Sequence, residues 1–363
     1  MLGTRMLRGL GAVSISRSLS AVPFQRRLST ITVQRPTDFE RVFDDHDQYA
    51  ALEGRALLEV GGADATDFLQ GMQCNDMAQI AGRGMLTGFL TPQGRMVADA
   101  FVYATGGGYM VEVDARVGAH VQRLLAFYRL RARVTVRDVS AEHQVWSAWG
   151  PGSAGLARDA SSLAHAWTYD RRAPNMGLRL VVPRTRELAP AGFARHDPVY
   201  RLRRILKGVG EGADDFARDA AVPLECNLDI MQGVHFGKGC YVGQELTIRT
   251  HHRGVVRKRL VPVLYSRAGD GTATPLRVDC AWTPELRPHA DVGRVGVAAR
   301  RAPGRLASVA SAGLALMRLE LVAQYEAQQH ADTADKIAFS ATDAAGNRVF
   351  VSPWTPSWWP NCK

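Results

Sequence analysis

The segment Lys238–Glu245, "KGCYVGQE", sits inside the longer stretch "HFGKGCYVGQELTIRTHHRG", His235–Gly254. One cysteine, several glycines and two adjacent histidines share twenty residues. Gly239 and Gly243 allow the backbone to pass close to another surface. From Gly243 onward "GQELTIRTHH" reads as a helix, with Glu245 and Arg249 spaced i,i+4 as an ion pair. Cys240 then lies just before a positive helix end. Lys238 is two residues away, and Arg249, His251 and His252 follow on the same segment. These surroundings predict a lowered thiol pKa and an available thiolate. The plain alternative is a small apolar residue packed in a turn. A reactive thiolate has three uses here. It is a nucleophile with a histidine base, one ligand of a mononuclear metal beside His251 and His252, or one ligand of an iron–sulfur cluster. A cluster takes four ligands, mainly cysteine. The other cysteines, Cys74, Cys226, Cys280 and Cys362, are scattered, with no CxxC pair. A cluster at Cys240 would therefore draw its remaining ligands from a partner.

Outward from this segment, 363 residues predict two or three domains. The net charge is +10, but six arginines and no acid lie before Asp38. Without them the excess falls to about +4 by the same counting. The start "MLGTRMLRGLGAVSISRSLSAVPFQRRLST" is Arg- and Ser-rich, acid-free and amphipathic. It predicts a mitochondrial transit peptide cleaved near Ser29. No apolar run reaches the ~18 residues of a membrane span. The basic run "HHRGVVRKR", His251–Arg259, has no aromatic platform beside it. It predicts a solvated face or an acidic partner, and no nucleic acid. The tail "SPWTPSWWPNCK", with Trp354, Trp358 and Trp359, is expected to pack on its own barrel or to be disordered, rather than to touch a membrane interface or a partner.

The pattern along the chain predicts an α+β fold. "RALLEV" (Arg55–Val60) reads as a strand, and Ala65, Phe68, Leu69 and Met72 mark a helix. Thr91-Pro92-Gln93-Gly94 is a type I turn between two strands. Gly106-Gly107-Gly108 makes the next turn, and "ARVGAHVQRLLAFYRL" a helix. "ARVTVRDV" and "QVWSAW" alternate as strands. Residues 150–165, rich in Gly, Ala and Ser, are expected to be a loop. Asp197 is expected to cap a helix with Pro198 at its first position. The short apolar runs after Val255 predict a small barrel.

"KGCYVGQE" matches without gaps the signature of the folate-binding, aminomethyltransferase-like iron–sulfur assembly proteins. "DFLQGMQCND", "FLTPQGRMVAD", "LLAFYRLRARVTV" and "PLECNLDIMQGVHF" also resemble its mitochondrial branch. The resemblance implies a three-domain ring with a discontinuous first domain, a ferredoxin-like second and a C-terminal β-barrel. The chain divides accordingly into a transit peptide and disordered lead (1–37), a folate-binding-like region (38–140) and a second α+β region carrying the motif (141–257). The barrel (258–351) and a Trp-rich tail (352–363) follow.

The resemblance further implies a monomeric matrix protein working in [4Fe–4S] assembly with an A-type scaffold. Cys240 would be its single ligand to a shared cluster, within a motif of Lys238, Gly239, Tyr241, Gly243, Gln244, Glu245 and Arg249. Bacterial relatives bind tetrahydrofolate, and the related T-protein is a one-carbon transferase using it. Transferases show two adjacent acids where this chain has Ala98-Asp99. Asp99 is therefore expected to be structural, and a tetrahydrofolate-dependent transferase is the alternative function.

Overall fold

The structure is a computed structural model and describes residues 14–15, 30–80, 83–267, 276–297, 301–329 and 336–360. The expected transit peptide lies outside these residues, apart from the two-residue strand Ser14–Ile15. Within the segment read as a disordered lead, Thr30–Val33 is a strand pairing antiparallel with Leu276–Asp279. Ile31 and Val33 are fully buried on it, so this part of the expected lead belongs to the fold.

The first sheet is antiparallel, in the order Gly84–Leu90, Met96–Thr105, Gly108–Asp114, Arg55–Gly61, Thr135–Asp138. Its tight connections are the predicted ones: Gly94 N–H closes on Thr91 O at 2.8 Å, and Thr105 faces Gly108. Strand alternation sends successive side chains to opposite faces. Leu58, Val102 and Val111 meet helices α1 (Ala65–Met72) and α2 (Ala115–Tyr128) through Leu69, Val121 and Leu125. Leu57, Phe101 and Tyr103 face the other way, into a core shared with the second sheet.

The second sheet runs Ala166–Tyr169, Leu178–Pro183, His143–Trp149, Gln48–Ala51, Ala194–Arg195. Its outer face is covered by α3 (Ser153–Leu163), where a loop was expected. Leu156, Ala157 and Ala160 form a narrow apolar stripe that only the sheet makes stable. Helix α4 (Asp197–Leu206) begins at the predicted proline, but Asp197 does not cap it. Its carboxylate accepts the Ala51 N–H at 2.8 Å and stitches the helix to the second sheet.

Six strands close a C-terminal barrel around Val263, Leu306, Met317, Phe339 and Val351, with helix α6 (Leu319–Gln329) against it. The tryptophan tail packs, but on more than the barrel. Trp354 lies 6.0 Å from Phe39 ring to ring, and Trp358 Nε1 donates to Lys207 O at 2.9 Å. Among the described residues no helix is long and apolar enough to cross a membrane.

Candidate functional site

The segment 235–254 docks on the first sheet and α1, although linear position groups it with the second region. Helix α5 spans Gln244–Arg253 and starts, as predicted, at Gly243. Gly243 has φ +78°, and a Cβ there would meet Thr91 O at 2.2 Å. A Cβ on Gly94 would meet Gly243 O at 2.8 Å. The motif turn and the 91–94 hairpin turn are thus pressed together, glycine on glycine, at a distance no other residue permits.

On its other side the turn closes the C-terminal end of α1. The last carbonyls of a helix lack intrahelical partners. Here Val242 N–H donates to Gly71 O at 3.0 Å. Lys238 Nζ donates to Gln70 O, Gln73 O and Asn75 O, each at 2.6 Å. Tyr241 is buried, with its ring 4.9 Å from the Lys238 ammonium. Gln244 Oε1 accepts the Tyr241 N–H at 3.2 Å. Only Gly239 and Cys240 stand exposed between these anchors.

This corrects the expected role of Lys238. Its ammonium is spent on three carbonyls of α1 and the segment after it, rather than turned to the Cys240 thiol. Burial lowers its own pKa to about 8, with the acid side chain of Asp76 opposing. The expected Glu245–Arg249 pair is absent among the ion pairs of the described residues, and both side chains are exposed. His251 stacks on Phe236 at 3.6 Å between centroids, and His252 meets His251 edge-on. Among the described residues no three His, Cys, Asp or Glu side chains converge as a metal site. A mononuclear site of Cys240, His251 and His252 is therefore not assembled.

The other thiols differ in kind. Cys74 is fully buried, its Sγ accepting the Gly88 N–H at 3.2 Å, and burial raises its pKa. Burial pushes Cys226 well up as well, and Cys280 to about 11. Cys362 lies outside the described residues. Among those described, Cys240 is the one exposed thiol.

The second candidate, Asp99, is sealed. It points away from Ala98, which joins the α1–α2 core, into the interior between the two sheets. Its Oδ1 accepts the Gly212 N–H at 2.9 Å and its Oδ2 faces Arg55 at 3.5 Å. Burial raises its pKa, with Arg55 opposing. Around it Glu112 accepts from Arg55 at 2.6 Å, from Arg179 at 2.8 Å and from Tyr103 at 2.6 Å. Glu211 accepts from Arg172 at 2.7 Å, Arg179 at 3.0 Å and Tyr200 at 2.7 Å. Burial alone would raise the Glu112 pKa, but Arg179 and Arg55 bring it down to about 2. The adjoining cavity, about 340 Å³, is walled by charged groups such as Arg55, Asp114, Arg204 and Glu211. Organic ligand pockets are mostly apolar with few polar groups. Asp99 is only 2% exposed, with Gly212 on one oxygen and Arg55 facing the other, so these residues do not fit tetrahydrofolate held at that carboxylate. Sequence reasoning found Asp99 but missed the network, whose members are spread from Arg55 to Glu211.

The fold is that of the aminomethyltransferases. Residues 54–172 match the GCVT N-terminal domain family. The structure of a glycine cleavage system aminomethyltransferase T from Bartonella henselae aligns with TM-score 0.62, covering 89% of each chain at 14% identity. The mitochondrial iron–sulfur cluster assembly factor IBA57 homolog of Mycosarcoma maydis is 34% identical, covering 86% of this chain and 85% of its own. The corresponding homolog of Pyricularia oryzae is 37% identical over 76% and 72%. The chain belongs to this family of mitochondrial iron–sulfur cluster assembly factors.

Proposed function

We propose that the protein is a mitochondrial matrix factor for [4Fe–4S] assembly, holding a cluster jointly with an A-type scaffold through Cys240. The cluster is cargo, and Cys240 supplies one thiolate to it. The observation that carries this reading is the exposed thiol of Cys240 on a turn anchored at both sides. A protruding single cysteine is suited to complete a partner's site, since one thiolate does not fill a coordination shell of four. The sealed Asp99 weighs against the transferase alternative. The test is anaerobic reconstitution with an A-type scaffold, following visible absorption and complex mass. The heterocomplex should carry a chromophore that the isolated chain lacks and that Cys240→Ser removes. A chromophore of full intensity on the isolated chain, or one that survives Cys240→Ser in the complex, would sink the reading.

A further inference from the structure

The three carbonyls that receive Lys238 are held in place without it. Gln73 is fully buried, its Nε2 donating to Asn75 O at 2.6 Å and its Oε1 accepting Asn75 N–H at 2.6 Å. Asn75 Nδ2 donates to Leu86 O at 2.7 Å and Gln232 O at 2.9 Å. The Cys74 backbone pairs with Gly88 O at 3.1 Å on one side and His235 N at 3.0 Å on the other. Gln70 O belongs to the last turn of α1, whose end carries partial negative charge. Three rigid carbonyl oxygens therefore converge on one point, each 2.6 Å from Nζ. Carbonyl rings of this kind replace the hydration shell of monovalent cations. An ammonium has three donors in fixed tetrahedral directions, and here all three are used.

We propose that Lys238 acts as a tethered monovalent cation, and that its seat is a site for a free ion of ammonium or potassium size. Filling the seat holds the Cys240 turn on α1, so Lys238 is a positioning residue for the thiol. This deepens the reading of Cys240 as the reactive position and rests on it for its functional meaning, but its structural content is independent of any cluster. Removing the side chain leaves three partly buried acceptors facing one another, a cost that a bound cation relieves. Arginine is a poor substitute, because its donors lie in one plane and do not converge on a point. Gln70, Gln73 and Asn75 thereby build the seat, and Lys238, two residues before the exposed Cys240, fills it.

The experiment is amide exchange at Val242, whose N–H is bonded to Gly71 O. In the full chain Lys238→Ala should exchange roughly tenfold faster, the factor one charged hydrogen bond represents. Ammonium or potassium chloride should restore protection, while tetramethylammonium chloride at equal ionic strength should not. Lys238→Arg should behave as Lys238→Ala. Unchanged exchange in Lys238→Ala, full protection in Lys238→Arg, or loss that neither small cation reverses would each overturn the proposal. If the variants do not fold, the wild-type chain decides. With ¹⁵N-labelled lysine, Lys238 should give a slowly exchanging ammonium signal, and a solvent-exchanged ammonium there overturns the idea. Failed cluster formation with intact cation rescue would count against the proposed function alone.

Discussion

The Cys240 turn and the Asp99 interior are built from similar materials and do opposite things. Both contain a potentially reactive group, arginine or lysine neighbours and close glycines. At the turn, the Lys238 ammonium is committed to three backbone carbonyls, and the thiol is left outside. In the interior, each charge faces an opposite one, and Asp99 is sealed from solvent. A charge that is buried and paired stabilises its own surroundings poorly but is costly to unpair. An exposed thiol contributes almost nothing to stability and is available for chemistry. Reactivity in this fold therefore follows what remains unsatisfied, rather than where titratable residues are densest.

The sharpest break of this comparison is Cys240→Ser. It should remove the chromophore of the scaffold complex completely, while unfolding in urea stays within about 0.5 kcal/mol of wild type, as for an exposed site. A large stability loss would mean that the turn depends on its thiol. In the interior the pattern should invert. Glu112→Ala removes a buried partner shared by Arg55 and Arg179 and should cost about 3–5 kcal/mol, read from the urea midpoint. The Glu112 carboxyl is lowered from an ordinary 4.5 to about 2 in the folded chain. Its contribution is therefore present above pH 4.5 and lost as the pH falls from there toward 2, so the Glu112→Ala deficit should shrink through that window.

Gly243→Ala tests the seam between the two regions. With φ +78° and Thr91 O in the way, about 1–3 kcal/mol should be lost in thermal or urea unfolding. The scaffold complex should also weaken, since the turn is displaced from the hairpin. Asp99→Asn should be mild in both stability and assembly, with under about 1 kcal/mol lost at neutral pH. The folded pKa of Asp99 is raised, so any stability it adds is present below its ordinary 3.8 and lost as pH rises through the folded value. The asparagine variant should compare better with wild type at pH 7 than at pH 3, and cluster assembly should persist. A loss of assembly with unchanged stability would place Asp99 in the function and undo the contrast.

Local pattern carried far in this chain. The period-two strands around the 91–94 turn, Gly243 at the start of α5 and Pro198 at the start of α4 are backbone constraints that act within a few residues, so the residues themselves announce them. The motif likewise marked Cys240 as the position of interest. Helix α3 was not legible, because Ala and Ser positions carry little periodic signal until a sheet covers Leu156, Ala157 and Ala160. Lys238 was misplaced because nearness in sequence says nothing of where a long side chain goes. Its partners are backbone carbonyls some 165 residues earlier, which no side-chain pattern records. The closure of Asp99 had the same origin, since Arg55, Gly212 and Glu211 meet it only once the sheets pack. Sequence by itself determined most of the elements, the barrel and the thiol, because those rest on short-range propensity and motif. Tertiary structure alone decided which charges are spent and which group stays free, because that depends on contacts between residues far apart in the chain.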